Sequence, residues 1–258
     1  MYKGFNLELN FEEYSQFEEY YKIGLSNYLK IQKPIQKTLS SFIYPDKGID
    51  GTKLEQNWFP KFETEIFISY SHKDKKNAIA LSGWLFEKHN ITSFVDSCLW
   101  GYSKTLLRSI NNDYSWLDQS KNIYSYEKAN YASSHIHMML SNALSLMIDK
   151  SECFILINTP DSIKAYKDVD KTESPWIYSE IFMSKLLIGK KPDRFIERIY
   201  ESTETFSKGG LGIPNLRIDY NIDISHLIKI EFDSLLKKWG NKNYKDKYVA
   251  LDNLYNLK

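Results

Sequence analysis

The sequence predicts an α/β domain built on a mostly parallel sheet. From Glu65 onward, short apolar runs alternate with longer segments of helical periodicity, the signature of βαβ units. The runs EIFISY (65–70), ITSFVD (91–96) and ECFILIN (152–158) are rich in branched and aromatic residues, as strands covered on both faces must be. Polar residues cluster directly after each run, where an open parallel sheet binds its ligands.

Taken in order, residues 11–32 place Phe11, Tyr14, Phe17, Tyr21 and Leu25 at helical spacing with glutamates opposite, so an amphipathic helix is expected, broken by Pro34. The stretch YPDKGIDGTK (44–53) has the Pro, Gly and Asp of a loop. Residues 1–60 therefore read as an N-terminal helical extension, 61–240 as the main domain and 241–258 as a C-terminal tail. Within the main domain, the first strand leads into a helix over 74–89 with Ala78, Leu81, Leu85 and Phe86 inward, and then into the second strand. From Ser97 to about Ser134, Asn, Asp, Ser, Lys and Tyr predominate and no period persists. This reads as an insertion over about 102–135, of the kind that forms functional lids or partly ordered loops. A helix over 136–149 and the most hydrophobic strand, ECFILIN, follow. Ser174 and Pro175 supply an N-cap and a first-turn proline for the next helix. FIERIY (195–200) and LRIDYNI (216–222) are expected as fourth and fifth strands, with FDSLLKKW (232–239) as a closing helix.

Composition bounds the function. A chain of 258 residues can bury a full core in one main domain with an appendage, and 42% apolar against 26% charged residues is ordinary for a folded soluble protein. With 34 basic and 33 acidic residues, no broad electrostatic footprint for nucleic acid exists. Cys98 and Cys153 cannot build a secreted disulfide framework, and Cys153 lies in an apolar run as a reduced core thiol would, so a cytoplasmic location is expected. No cationic start precedes an apolar stretch and no apolar run reaches about 18 residues, so neither signal peptide nor membrane span is expected.

Candidate chemistry lies at the strand exits: Ser69, Tyr70, Ser71, His72 and Asp74 after the first, Asp96 and Trp100-Gly101 after the second, Asn158, Thr159, Pro160 and Asp161 after the third. Asp74 and Asp161 read first as helix-cap and turn residues. In the helix from Pro175, Ile177, Ile181 and Ile188 form the core stripe while Trp176 and Glu180, four apart, share the neighbouring face. Spacing makes Glu180 a candidate functional acid, and fits a solvated surface glutamate equally. Asn158 stands where a phosphoacceptor receiver would carry aspartate. His135 and His137 have no Cys or well-spaced carboxylate to complete a metal set, so no metal site is expected. Neither GxGxxG nor GxxxxGK[ST] occurs.

EIFISYSHKD, FVD at 94–96 with Trp100-Gly101, SPWIYSEI at 174–181 and YNIDISHL at 220–227 together resemble the Toll/interleukin-1 receptor (TIR) domain in its bacterial form, over roughly 62–240. The resemblance implies a flavodoxin-like fold with a central five-stranded sheet and chemistry on NAD⁺, which is substrate and not cofactor. Glu180 corresponds to the catalytic glutamate of the family's W-x-x-x-E element, and Trp176 shapes the pocket beside it. Ser69, Tyr70, Ser71, His72, Asp96 and Trp100 correspond to residues around the nucleotide site. The positions of Ser71 and His72 are often basic in the family; here only His72 can carry positive charge, and an imidazole does so only in part near neutrality. The implied reaction cleaves the nicotinamide–ribose bond to give ADP-ribose or a cyclic ADP-ribose, as in stand-alone TIR subunits of antiphage systems such as Thoeris. Self-association through TIR domains and a separate effector that reads the product are the implied partners. A non-catalytic TIR scaffold is the alternative.

Overall fold

The computed structural model describes residues 1–9, 14–31, 38–44, 48–59, 62–95, 97–166, 169–189, 191–192 and 219–257. Its centre is a five-stranded sheet in which every neighbouring pair is parallel, in a flavodoxin-like α/β arrangement. The strands are β1 (Lys3–Glu8), β2 (Ile66–Ser69), β3 (Ser93–Val95), β6 (Cys153–Asn158) and β10 (Ile228–Glu231), in the order β10-β1-β6-β2-β3. Two small antiparallel sheets stand apart: the hairpin of β4 (Trp116–Asp118) with β5 (Ile123–Tyr124), and the trio β7 (Lys164–Tyr166), β8 (Val169–Thr172) and β9 (Tyr220–Asn221).

Side-chain alternation along the strands builds two cores, one per face. Ile66 and Ile68 of β2 and Cys153, Ile155 and Ile157 of β6 meet α1 (Phe17–Ile31), α3 (Lys75–His89) and the C-terminal helices. Phe67, Phe94, Phe154 and Leu156 face the opposite layer, made by α2 (Gly51–Trp58), α4 (Ser97–Tyr114), α5 (Tyr126–Lys150) and α6 (Pro175–Leu187). In that second core Phe67 packs between Phe94 and Phe154, tilted on the first and stacked on the second, at centroid distances of 5.4 and 5.8 Å. Burial pushes the Cys153 thiol up, out of the range in which thiolate chemistry occurs. Among the described residues no helix is long and apolar enough to cross a membrane.

Several expectations about the chain's organisation are corrected. The first 60 residues are not only a helical extension: β1 is a full member of the central sheet, between β6 and β10. The short run KGFNLE carries glycine and asparagine on one face and so lacks an apolar signature on that side. At Gly4 a β-carbon would fall 2.4 Å from Leu227 Cδ2, so a larger residue there would make that leucine side chain shift. The helix expected over 11–32 is present as α1, with Phe11 and Pro34 outside the described residues, and part of the expected 44–53 loop is the start of α2, capped by Asp50.

The insertion is not an aperiodic loop but α4, the β4–β5 hairpin and the first turns of α5, a helix about 37 Å long at 1.5 Å per residue. Ser103, Leu106 and Ile110 make a buried stripe on α4, and Ala132, Ile136, Leu140, Ala143 and Met147 extend the stripe of α5. Exposed polar and tyrosine residues dilute these stripes in sequence, which hides the period.

Finally, 241–258 is not a tail. The helix expected over 232–239 is α7 (Phe232–Leu235) continued by one π-helical turn, Leu236–Gly240, and α8 (Lys247–Tyr255) then buries Ala250, Leu251, Leu254 and Tyr255. Trp239 Nε1 donates to the Ala250 carbonyl at 2.7 Å. The fifth sheet strand is Ile228–Glu231; of the expected 216–222 strand, Tyr220–Asn221 pairs instead with β8. The expected strand at 195–200 lies outside the described residues.

Candidate functional site

The chain reverses its direction of growth across the sheet at β2: β3 lies on one side and β6 on the other, which opens a crevice beyond their carboxyl ends. β2 ends at Ser69, on the same face as Phe67, so its hydroxyl points into the α6 layer. Ser69 is wholly buried, and its Oγ donates to Glu180 Oε2 at 2.6 Å. Glu180 is itself buried, 3% exposed, and is not a solvated surface residue. A carboxyl group withdrawn from water this far needs a partner, and the short Ser69 bond supplies one.

α6 delivers Glu180 because its start is fixed locally. Ser174 accepts from the Ile177 amide at 3.3 Å, and Pro175 occupies the first turn, where its missing N–H costs nothing. Ile177 and Ile181 then bury against the sheet, while Ile188 is partly buried at the helix end. Trp176 comes one turn before Glu180, partly buried, with its indole edge-on to His137 of α5 at 5.9 Å between centroids.

These groups border a cavity of about 220 Å³ lined by Tyr70, His72, Lys104, Ser174, Trp176, Ile177 and Glu180. Among these lining residues Glu180 is the one carboxylate. Of the sequence-derived candidates, Glu180, Trp176, Tyr70 and His72 line the cavity directly, and Ser69 reaches it through its bond to Glu180. Ser71 instead starts the 3₁₀ turn His72–Asp74, its carbonyl accepting from the Asp74 amide at 2.7 Å. Trp100 lies in the first turn of α4, and Asp96 lies outside the described residues. Lys104, one turn farther along α4, was not singled out in the sequence. Only the folding of α4 as a helix against α5, on which α6 also packs, could have pointed to it.

The strand exits brace the crevice. Thr159, just after β6, donates its hydroxyl to Asp74 Oδ2 at 2.6 Å, and Lys73 pairs with Asp161 at 2.7 Å. Asp74 makes no side-chain cap to α3, so the cap reading is replaced by this cross-strand bond; Asp161 does sit in the turn after β6, its amide donating to Thr159 Oγ1 at 3.3 Å. One turn beyond Glu180, Ser184 meets His226 Nε2 at 2.8 Å, and burial lowers the pKa of that imidazole. His135 contacts Tyr131 rather than sharing a ligand with His137. Among the described residues no group of three His, Cys, Asp or Glu side chains is arranged to hold a metal ion.

A larger cavity, about 680 Å³, lies between α2, α4 and α5 with an apolar floor of Leu54, Ile110, Ile136 and Met139. It holds no buried acid, whereas the smaller cavity joins a buried carboxyl group, an indole, an imidazole and an ammonium group. That smaller set can hold sugar hydroxyls and stabilise positive charge developing on a ligand. No protein-family model, no curated protein and no solved structure matches the chain.

Proposed function

We propose that the chain is a TIR-type enzyme that cleaves the nicotinamide–ribose bond of NAD⁺, giving ADP-ribose or a cyclic ADP-ribose signal in bacterial antiphage immunity. The observation that carries this reading is the buried Glu180, hydrogen-bonded to Ser69 and bordering a small cavity with Trp176 at the carboxyl end of β2. In the reaction the C–N bond breaks with its electron pair going to the pyridinium nitrogen, so nicotinamide leaves neutral. No acid is needed to protonate it, and one carboxylate serves where sugar hydrolases use two. Glu180 holds the ribose hydroxyls and faces the ribosyl cation; opposite charge prepared in a desolvated site is worth several kcal/mol. Water then adds to the cation and gives up a proton, or a nucleophile of the same molecule closes the ring.

The test is incubation of concentrated protein with NAD⁺, followed by separation of nicotinamide, ADP-ribose and cyclic isomers. Nicotinamide release that is lost in Glu180→Gln, with an unchanged melting temperature, supports the enzyme. If the wild type releases none, even with crowding agent or in phage-infected cells, the enzymatic reading falls.

A TIR scaffold is the second reading, and exposed apolar side chains on the insertion favour it. Leu117 and Ile123 on the hairpin and Tyr126 at the start of α5 are 72%, 44% and 80% exposed, a surface suited to assembly. Self-association and catalysis are compatible, and a separate effector reading the product from the cytoplasm completes this proposal.

A further inference from the structure

We infer that Lys104, supplied by the insertion helix α4, is the phosphate-recognising residue of the Glu180 cavity and makes it selective for the phosphorylated ribose end of a dinucleotide. This rests on the reading of that cavity as an NAD⁺ site.

Size limits what the cavity can take. Ligand pockets usually hold roughly 300–1,000 Å³, and the cavity holds about 220 Å³, room for one end of a dinucleotide only. A ribose whose hydroxyls meet Glu180 carries its phosphate on the 5′ carbon, a few bonds away. With the nucleoside end inside, that phosphate is left at the mouth. The basic side chains that line the cavity, His72 after β2 and Lys104 on α4, are both exposed and so belong to its solvent side. Of the two, Lys104 carries the compact ammonium group that suits a phosphate. Among the described residues it has no ion-pair partner, unlike Lys73, which is already paired with Asp161. A phosphate at the mouth therefore meets a cation that need not be taken from another carboxylate. The residues directly after β2, Ser71 and His72, are poor in charge, and α4 supplies it from the other wall.

The test titrates nicotinamide mononucleotide and nicotinamide riboside, which differ by one phosphate, into wild type, Lys104→Ala and Lys104→Arg by calorimetry, with nicotinamide release followed so that turnover is seen. Lys104→Ala is expected to weaken the mononucleotide about tenfold, the scale of one charge-assisted hydrogen bond, and to leave the riboside within about twofold. Lys104→Arg retains most of the mononucleotide affinity, and the difference between wild type and Lys104→Ala shrinks with added salt. Equal weakening of both ligands, or of neither, overturns the role of Lys104 while leaving the cavity reading intact. If the wild type binds neither ligand, the cavity reading itself falls, and the inference with it.

Discussion

Ser69 and Glu180, 111 residues apart in the chain, meet through a 2.6 Å hydrogen bond in a buried setting, joining the end of β2 to the middle of α6. A hydrogen bond to a charged group contributes about 1.5–3 kcal/mol. Ser69→Ala is expected to leave the fold in place and to lower NAD⁺ cleavage by about tenfold or more. Steady-state kinetics alongside a thermal melt checks this. Full activity in Ser69→Ala would show that Glu180 is held by its other contacts.

Gly24 of α1 and Gly83 of α3 let those helices touch backbone to backbone. A β-carbon at Gly83 would lie 1.9 Å from the Tyr20 carbonyl oxygen, and one at Gly24 would lie 1.9 Å from that of Ile79. Alanine improves helix propensity by about 1 kcal/mol, but no rotamer relieves a clash with backbone. Gly83→Ala is expected to destabilise by about 3 kcal/mol or more. Gly51→Ala serves as the control, since its β-carbon would have only an ordinary 3.5 Å contact with Met139. Urea denaturation separates the two outcomes.

His89 ends α3 against Trp239, with ring centroids 4.0 Å apart, and burial lowers its pKa from the ordinary 6.5 to about 4. The folded state thus keeps the imidazole neutral while the unfolded chain takes up a proton. Its contribution is fully present above pH 6.5 and is lost as pH falls from there to about 4, a loss on the order of 3 kcal/mol. His226, lowered in the same direction by burial, adds to the trend. Urea midpoints across this range should fall with acid in the wild type and fall less in His89→Phe. Parallel profiles would remove His89 from the account.

The last helix is tied to the edge of the sheet through Glu65. Its Oε2 accepts from the Thr92 amide and hydroxyl, each at 2.7 Å, and its Oε1 accepts from Lys247 Nζ at 2.6 Å. Glu65→Ala strands three donors and is expected to cost about 2 kcal/mol. Lys247→Met removes one partner near the surface and is expected to cost under about 1 kcal/mol. Denaturation of both variants tests the order, and a larger loss in Lys247→Met would reverse it.

Local chemistry was enough to place the elements that carry the candidate acid. β2 and β6 were legible because strands buried on both faces must be apolar nearly throughout, and α6 because Ser174 and Pro175 set its start within the sequence itself. Trp176 and Glu180 followed from helical spacing. Whether Glu180 was buried or solvated did not follow, since that depends on Ser69 and the sheet beneath it.

Other features depended on partners far away along the chain. Lys3–Glu8 becomes a strand because β6, some 150 residues on, and β10 offer their edges to it, and no local pattern encodes a distant edge. Lys104 enters the cavity only because Leu106 and Ile110 turn the rest of α4 toward the core. Periodicity and capping act over a few residues and are written in the chain, whereas pairing across the sheet and the packing of α4 and α6 on α5 arise when distant apolar surfaces leave water together.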